Sequence, residues 1–253
     1  MKIEILGCSG GIGQGLKTTT FLVDDTLLLD AGTGVELLTM ERLLNIRDVV
    51  ITHGHLDHII GLPLMISTIF DQHQAPINVY ALPEVITALK EHIFNWTIWP
   101  DFTTLPEENP IIRLHSVNVG DILNLQGKVI EVIPATHPTP TAGYLIKETA
   151  HSFLFTGDSG LNKTLATLLN QHQPELLIID VSFADESTPL AEQSGHLTPA
   201  MLAQQLMSLE YTPRIAITHL KPGVEDRIIQ QCHRLLPNQQ IDRLKQGEVI
   251  TLR

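Results

Sequence analysis

Short apolar runs alternate along the chain with stretches whose apolar residues recur at helical spacing. In the first half, residues 2–7, 20–23, 26–30, 49–52 and 77–81 read as strands, rich in Ile, Val and Leu and bounded by turn residues. Helical periodicity covers 34–44, 56–73 and 84–94. The second half repeats the plan, with strands at 111–117, 129–134, 142–146, 152–155, 175–180 and 214–217. Its helices are 163–171, 199–209 and 225–236, and a last strand spans 248–252. Thr198-Pro199 and Asn162-Lys163 are helix starts, the first with Pro at the opening helical position. Clusters of strands followed by outer helices, twice over, predict an α/β protein of two sheets packed face to face with helices outside. No linker or low-complexity stretch divides the chain, so residues 1–253 read as a single domain. Residues 100–110, rich in Pro, Glu and Thr, read as an inserted loop.

Composition narrows the function classes. At 253 residues, 43% hydrophobic and 17% charged, the chain can bury a large core and is not a disordered one. A net charge of -12 argues against a protein that grips nucleic acid, which needs a basic surface. It leaves room for a small anionic substrate. Two cysteines, Cys8 and Cys232, are too few for a disulfide framework and point to a reducing cytoplasm. Residues 1–7 enter a strand directly, without a signal-peptide core, and no apolar run approaches membrane-spanning length.

The densest chemistry lies in His53-Gly54-His55-Leu56-Asp57-His58, after the apolar run 48–52. Two residues apart on an extended segment, His53 and His55 point the same way. Asp57 and His58 open the next apolar-periodic run, 59–70. One cation fits against the strand end and a second against the helix start. Imidazole with carboxylate suits zinc, manganese or iron rather than calcium. A merely solvated polar turn seldom carries ligand types at this density.

The hexapeptide resembles the signature of the metallo-β-lactamase superfamily of hydrolases. That resemblance calls for further ligands, and three stand in order at strand ends: His137, Asp158 in Thr156-Gly157-Asp158-Ser159, and His219 in Thr218-His219-Leu220. Alone, each reads as a capping residue. Together, the resemblance assigns His53, His55 and His137 to one metal, Asp57, His58 and His219 to the other, and Asp158 as the bridge. It implies two divalent cations, zinc foremost with manganese or iron as alternatives, and an αββα sandwich of two mixed sheets with outer helices. Asp30 resembles the family's aspartate that orients the histidine loop by hydrogen bonding.

The Gly-rich stretch 7–15 lacks the glycine spacing of a dinucleotide site and the Lys-Ser/Thr of a phosphate loop. It reads as a tight loop, or as one whose backbone N–H groups approach a substrate phosphate. His196, in Ser194-Gly195-His196-Leu197-Thr198, and Asp180 each have a structural reading, as a helix-start residue and a strand-end cap. This Gly-His-hydroxyl stretch with an upstream carboxylate is also similar to the phosphodiesterase branch of the superfamily. That branch holds ribonuclease Z and the class II cyclic-nucleotide phosphodiesterases, where such a histidine serves the leaving oxygen. The class II form is matched by His55-Leu56-Asp57-His58-Ile59, and the likeness extends from Gly7-Cys8-Ser9-Gly10 through Ile93-Phe94-Asn95-Trp96 to Thr218-His219-Leu220-Lys221-Pro222. Pro63 departs from it.

The resemblance implies a phosphodiesterase that opens 3′,5′-cyclic nucleotides to 5′-monophosphates. Two metals would share an attacking hydroxide, and Asp57, His196 and Asp180 would form the catalytic set, with His196 protonating the departing ribose oxygen. The competing readings are a ribonuclease Z-like nuclease processing tRNA 3′ ends, and a non-catalytic di-metal redox or sensor scaffold. Against the first, the chain has no long basic Gly-rich insertion to hold tRNA. Phe94, Trp96, Trp99 and Phe102 would stack on a base or form a hydrophobic cap or homodimer contact. His73, His92, His115, His151, His172 and His233 fit no ligand pattern and read as surface or capping residues.

Overall fold

In the computed structural model, residues 1–72 and 75–253 are described, so His73 and the end of the helix expected to reach it lie outside the described residues. The strands are β1 (Lys2–Gly7), β2 (Thr20–Val23), β3 (Leu27–Leu29), β4 (Asp48–Val50), β5 (Ile77–Ala81), β6 (Ile112–Ser116), β7 (Ile122–Leu125), β8 (Lys128–Pro134), β9 (Ala142–Glu148), β10 (His151–Phe155), β11 (Leu176–Asp180), β12 (Arg214–Thr218), β13 (Ile241–Arg243) and β14 (Val249–Thr251). They form two seven-stranded sheets, ordered β14-β1-β2-β3-β4-β5-β6 and β13-β12-β11-β10-β9-β8-β7.

Both sheets obey one pattern. From β14 to β3 the neighbours are antiparallel, and from β3 to β6 they are parallel. From β7 to β10 they are antiparallel, and from β10 to β13 parallel. The repeat read in the sequence is therefore a repeat of topology, with the last strand returning to complete the first sheet. Because β8 and β10 are both antiparallel to β9, they run the same way, as do β11 and β12. The segments that follow these four strands must leave from one rim.

Apolar residues alternate between two cores, as the two-residue period of a strand requires. Leu176, Ile178 and Ala216 pack with Ile3, Ile5 and Phe21 between the sheets. Leu177, Ile179, Ile215 and Ile217 face outward onto Leu165, Leu202, Ile228 and Cys232. Those last four belong to α5 (Leu165–His172), α7 (Pro199–Gln205) and α8 (Glu225–Leu235). The other helices are α1 (Met40–Asn45), α2 (Leu56–Ile59), α3 (Gly61–Ile69), α4 (Pro83–Ala88) and α6 (Thr188–Ser194). No helix among the described residues is long and apolar enough to cross a membrane.

The structure corrects several boundaries. The helix expected over 34–44 is a 3₁₀ turn, Thr33–Leu37, followed by α1, with extended backbone at Leu38 and Thr39 between them. The helix expected from 56 divides into α2 and α3 because Ala31 enters its backbone ladder. Ala31 N donates to His58 O at 2.8 Å, and Gly61 N donates to Ala31 O at 2.7 Å. A Cβ at position 61 would stand 2.3 Å from Gly32 O, so this crossing demands glycine. The helix expected over 84–94 ends in a π turn, Leu89–Ile93. Strands β7 and β13 escaped the pattern because both are sheet edges with solvated residues, as does α6, which buries only Ala191. The loop 100–110 is pinned by Phe102, buried against Phe70 with ring centroids 5.1 Å apart.

The sheets join where β4 ends. The buried Tyr144 hydroxyl donates to Ile51 O at 2.8 Å, and Ala142 N donates to Thr52 O at 3.0 Å. Tyr144→Phe removes that donor and leaves a buried carbonyl unpaired. The expected result is a loss of about 1–3 kcal/mol in denaturant unfolding; an unchanged midpoint would show that this bond does not tie the sheets.

Candidate metal centre

Strand direction brings seven polar side chains to the shared rim. His53 and His55 leave the end of β4, and Asp57 and His58 lie in α2. His137 follows β8, Asp158 follows β10 and His219 follows β12. The rings crowd together, with His53 centroids 4.5 Å from His55, 4.2 Å from His58 and 5.0 Å from His137. Asp158 Oδ2 lies 3.7 Å from His53 Nε2 and 3.4 Å from both His58 Nε2 and His219 Nε2. Asp57 Oδ2 is 3.2 Å from His219 Nε2 and 3.9 Å from His58 Nε2. One donor atom each from His53, His55, His137 and Asp158 lies within 4.8 Å of the others, and the same holds for Asp57, His58 and His219.

These residues fit a cation. The Nε2 atoms of His53 and His58 are buried and make no hydrogen bond, an arrangement that costs free energy without a bound partner. Burial, with His58 beside it, holds the His53 imidazole far below its ordinary pKa, so it offers a lone pair. Burial also lowers His55 and His137. At His58 burial opposes the charged form, yet Asp158 and Asp30 outweigh it and raise the pKa well above the usual histidine value. Asp57 and Asp158 would be raised by burial, but the neighbouring His219 and His58 pull both well below the carboxylate range. The pocket thus concentrates anionic oxygen and open imidazole nitrogen, a donor set for zinc, manganese or iron.

The outward-facing Nδ1 atoms are held. Asp30 accepts from Thr52 N at 2.7 Å, from Thr52 Oγ1 at 2.9 Å and from His58 Nδ1 at 2.7 Å. Thr52 Oγ1, having given its proton to Asp30, accepts from His53 Nδ1 at 3.0 Å. His137 Nδ1 donates to Gly195 O at 3.0 Å. Gly195 sits at φ 69°, where an added Cβ would come within 2.4 Å of Pro138 Cδ. Asp30 and His219 hold left-handed backbone at the rim, φ 56° and 60°.

His196 and Asp180 also arrive here. His196 Nδ1 donates to Asp180 Oδ2 at 2.7 Å, and its ring stacks on His219 with centroids 5.2 Å apart. Burial disfavours the imidazolium, but the Asp180 carboxylate outweighs burial and raises its pKa. Between them stands Ser182, which donates to Asp180 Oδ1 at 2.7 Å and accepts from His219 Nδ1 at 2.9 Å. Sequence reasoning missed Ser182, Thr52 and the Gly195 carbonyl. A lone hydroxyl between Val181 and Phe183, in an otherwise apolar stretch, was the available signal for Ser182.

The Gly-rich loop is tied to the same rim, with Gly10 N donating to Leu220 O at 3.0 Å and Lys221 Nζ to Gly10 O at 2.7 Å. Of the aromatic group, Phe94 and Phe102 are core residues, Trp99 packs against that core, and Trp96 is 64% exposed. His115, His151, His172 and His233 bond to other parts of the surface.

Residues 25–220 match the model of the β-lactamase superfamily domain. A probable 3′,5′-cyclic-nucleotide phosphodiesterase of Yersinia pestis is 26% identical, over 88% of this chain and 79% of that one. Unliganded yeast PDE1 superposes with a TM-score of 0.83 at 19% identity, covering 99% of both chains. The short form of human tRNase Z gives 0.71 at 18% identity, covering 100% of both. The fold is the metallo-β-lactamase fold, and the chain belongs to the β-lactamase superfamily domain family as an enzyme on that hydrolase scaffold.

Proposed function

We propose that the protein is a metal-dependent phosphodiesterase that hydrolyses 3′,5′-cyclic nucleotides to 5′-monophosphates. The observation that carries this reading is the Asp180–His196 pair set against the cluster, with His196 Nε2 free of any hydrogen bond to a described residue. His53, His55 and His137 would hold one divalent cation and Asp57, His58 and His219 a second, with Asp158 shared. Asp158, Asp180, His196 and His219 also group within 4.8 Å. There, however, Asp180 and His196 already satisfy each other and Ser182, whereas His58 Nε2 has no partner. The second cation therefore belongs with His58.

Bound at these residues, divalent cations supply Lewis acidity toward the phosphoryl oxygens and lower the pKa of an attacking water. The chain's own contribution is orientation and proton transfer. Asp180 fixes the His196 ring through Nδ1, leaving the proton on Nε2 to pass to the departing ribose oxygen. The cyclic-nucleotide relative supports the substrate, and the net charge of -12 favours a small phosphodiester over RNA. A panel of cyclic AMP, cyclic GMP, a nitrophenyl phosphodiester and precursor tRNA, with zinc or manganese, tests the choice. Cleavage of the tRNA alone would replace this reading with the nuclease.

Asp158→Ala removes the shared carboxylate. Elemental analysis should find two metal ions per wild-type chain and fewer in the variant, with hydrolysis abolished; equal stoichiometry would refute the shared role. His196→Ala should cost about 10²–10⁴-fold on a cyclic nucleotide, whose alkoxide needs a proton, and far less on a nitrophenyl diester. Asp180→Asn should show the same selectivity more weakly. Equal losses on both substrates with metal retained would reduce His196 to a structural residue.

A further inference from the structure

On the His55 side of the cluster the surface falls into a recess of about 200 Å³, walled by Val85 and Ala88 of α4 and by Pro140. Its polar lining is Glu84, Thr139 and the proposed ligand His55. Pockets that enclose a drug-sized ligand span roughly 300–1,000 Å³, so this recess takes one part of a molecule whose remainder lies at the cluster. Two groups here lack partners. The Thr139 hydroxyl oxygen is enclosed by protein and makes no hydrogen bond. Glu84, exposed in the first turn of α4, makes no hydrogen bond or ion pair with any described residue.

We infer that the recess receives the nucleobase and that Glu84 makes it select guanine, an inference that rests on the cyclic-nucleotide reading above. A carboxylate only accepts. Guanine presents N1–H and N2–H side by side on its Watson–Crick edge, so both oxygens of Glu84 gain a hydrogen. Adenine offers one amino donor beside the N1 lone pair, which meets the second oxygen as acceptor against acceptor. Val85, Ala88 and Pro140 contact the ring faces.

The test compares wild type, Glu84→Gln and Ala88→Leu on 3′,5′-cyclic GMP, 3′,5′-cyclic AMP and methyl nitrophenyl phosphate, with metal content measured throughout. Wild type should favour cyclic GMP by about tenfold or more in kcat/KM, the range for a good bidentate contact. Glu84→Gln, whose amide carries one donor and one acceptor, should level or reverse that ratio through KM. Ala88→Leu fills the recess and should raise KM for both cyclic nucleotides while leaving the small diester unchanged. A base ratio unmoved by Glu84→Gln, or an Ala88→Leu loss shared equally by the small diester, overturns the assignment of the recess alone. If wild type cleaves the small diester but neither cyclic nucleotide, the substrate reading falls and this one falls with it.

Discussion

The Asp30 carboxylate is fully buried and accepts three hydrogen bonds, two from Thr52 and one from His58. A buried, unpaired carboxylate is costly, and burial does push Asp30 above its ordinary pKa, against the pull of His58 and Thr52. The three bonds oblige the turn after β4 to wrap around this one group. That wrap fixes His58 Nε2 inward and, through the Thr52 hydroxyl, His53 Nε2 as well. The left-handed backbone at Asp30 is what lets β3 end and still present the carboxylate to the next loop. Two proposed ligands from the first half, His53 and His58, thus depend on a residue outside the ligand set.

The second half contributes by direction rather than by wrapping. Four strands running one way deliver His137, Asp158, Asp180 and His219 to one rim. The open crevice beyond the carboxyl ends of parallel strands is the usual ligand position in α/β sheets. Here two such sheets, of one pattern, place their strand ends against each other, and the Tyr144–Ile51 bond sets how closely.

How much of this was legible follows from range. The seven proposed ligands could be read because each sits at the end of an apolar run, and four of them crowd into six positions. His196 and Asp180 were legible only as a pair, through a resemblance, and the geometry does bring them within 2.7 Å. What stayed hidden depends on distant partners. The break between α2 and α3 comes from Ala31, more than twenty residues earlier, and no local pattern announces it. Ser182 and the Gly195 carbonyl are ordinary groups until folding sets an imidazole beside each. Of the roles left open for the aromatic group, Phe94 and Phe102 take a hydrophobic one, packed into the core.

The Ser182 hydroxyl has a single proton and several polar atoms within reach. It lies 2.7 Å from Asp180 Oδ1 and 2.9 Å from both His219 O and His219 Nδ1. A bond to a carboxylate is stronger than one to a carbonyl, so the proton goes to Asp180. The serine oxygen must then accept from His219 Nδ1, which fixes the ring with its Nε2 facing Asp57 at 3.2 Å and Asp158 at 3.4 Å. The same carboxylate takes His196 Nδ1 on its other oxygen. Asp180 therefore sets the orientation of two imidazoles at once, one proposed as a metal ligand and one as the proton donor. The charge of a single buried aspartate couples the metal cluster to the leaving-group side, and neither imidazole can turn without disturbing the other.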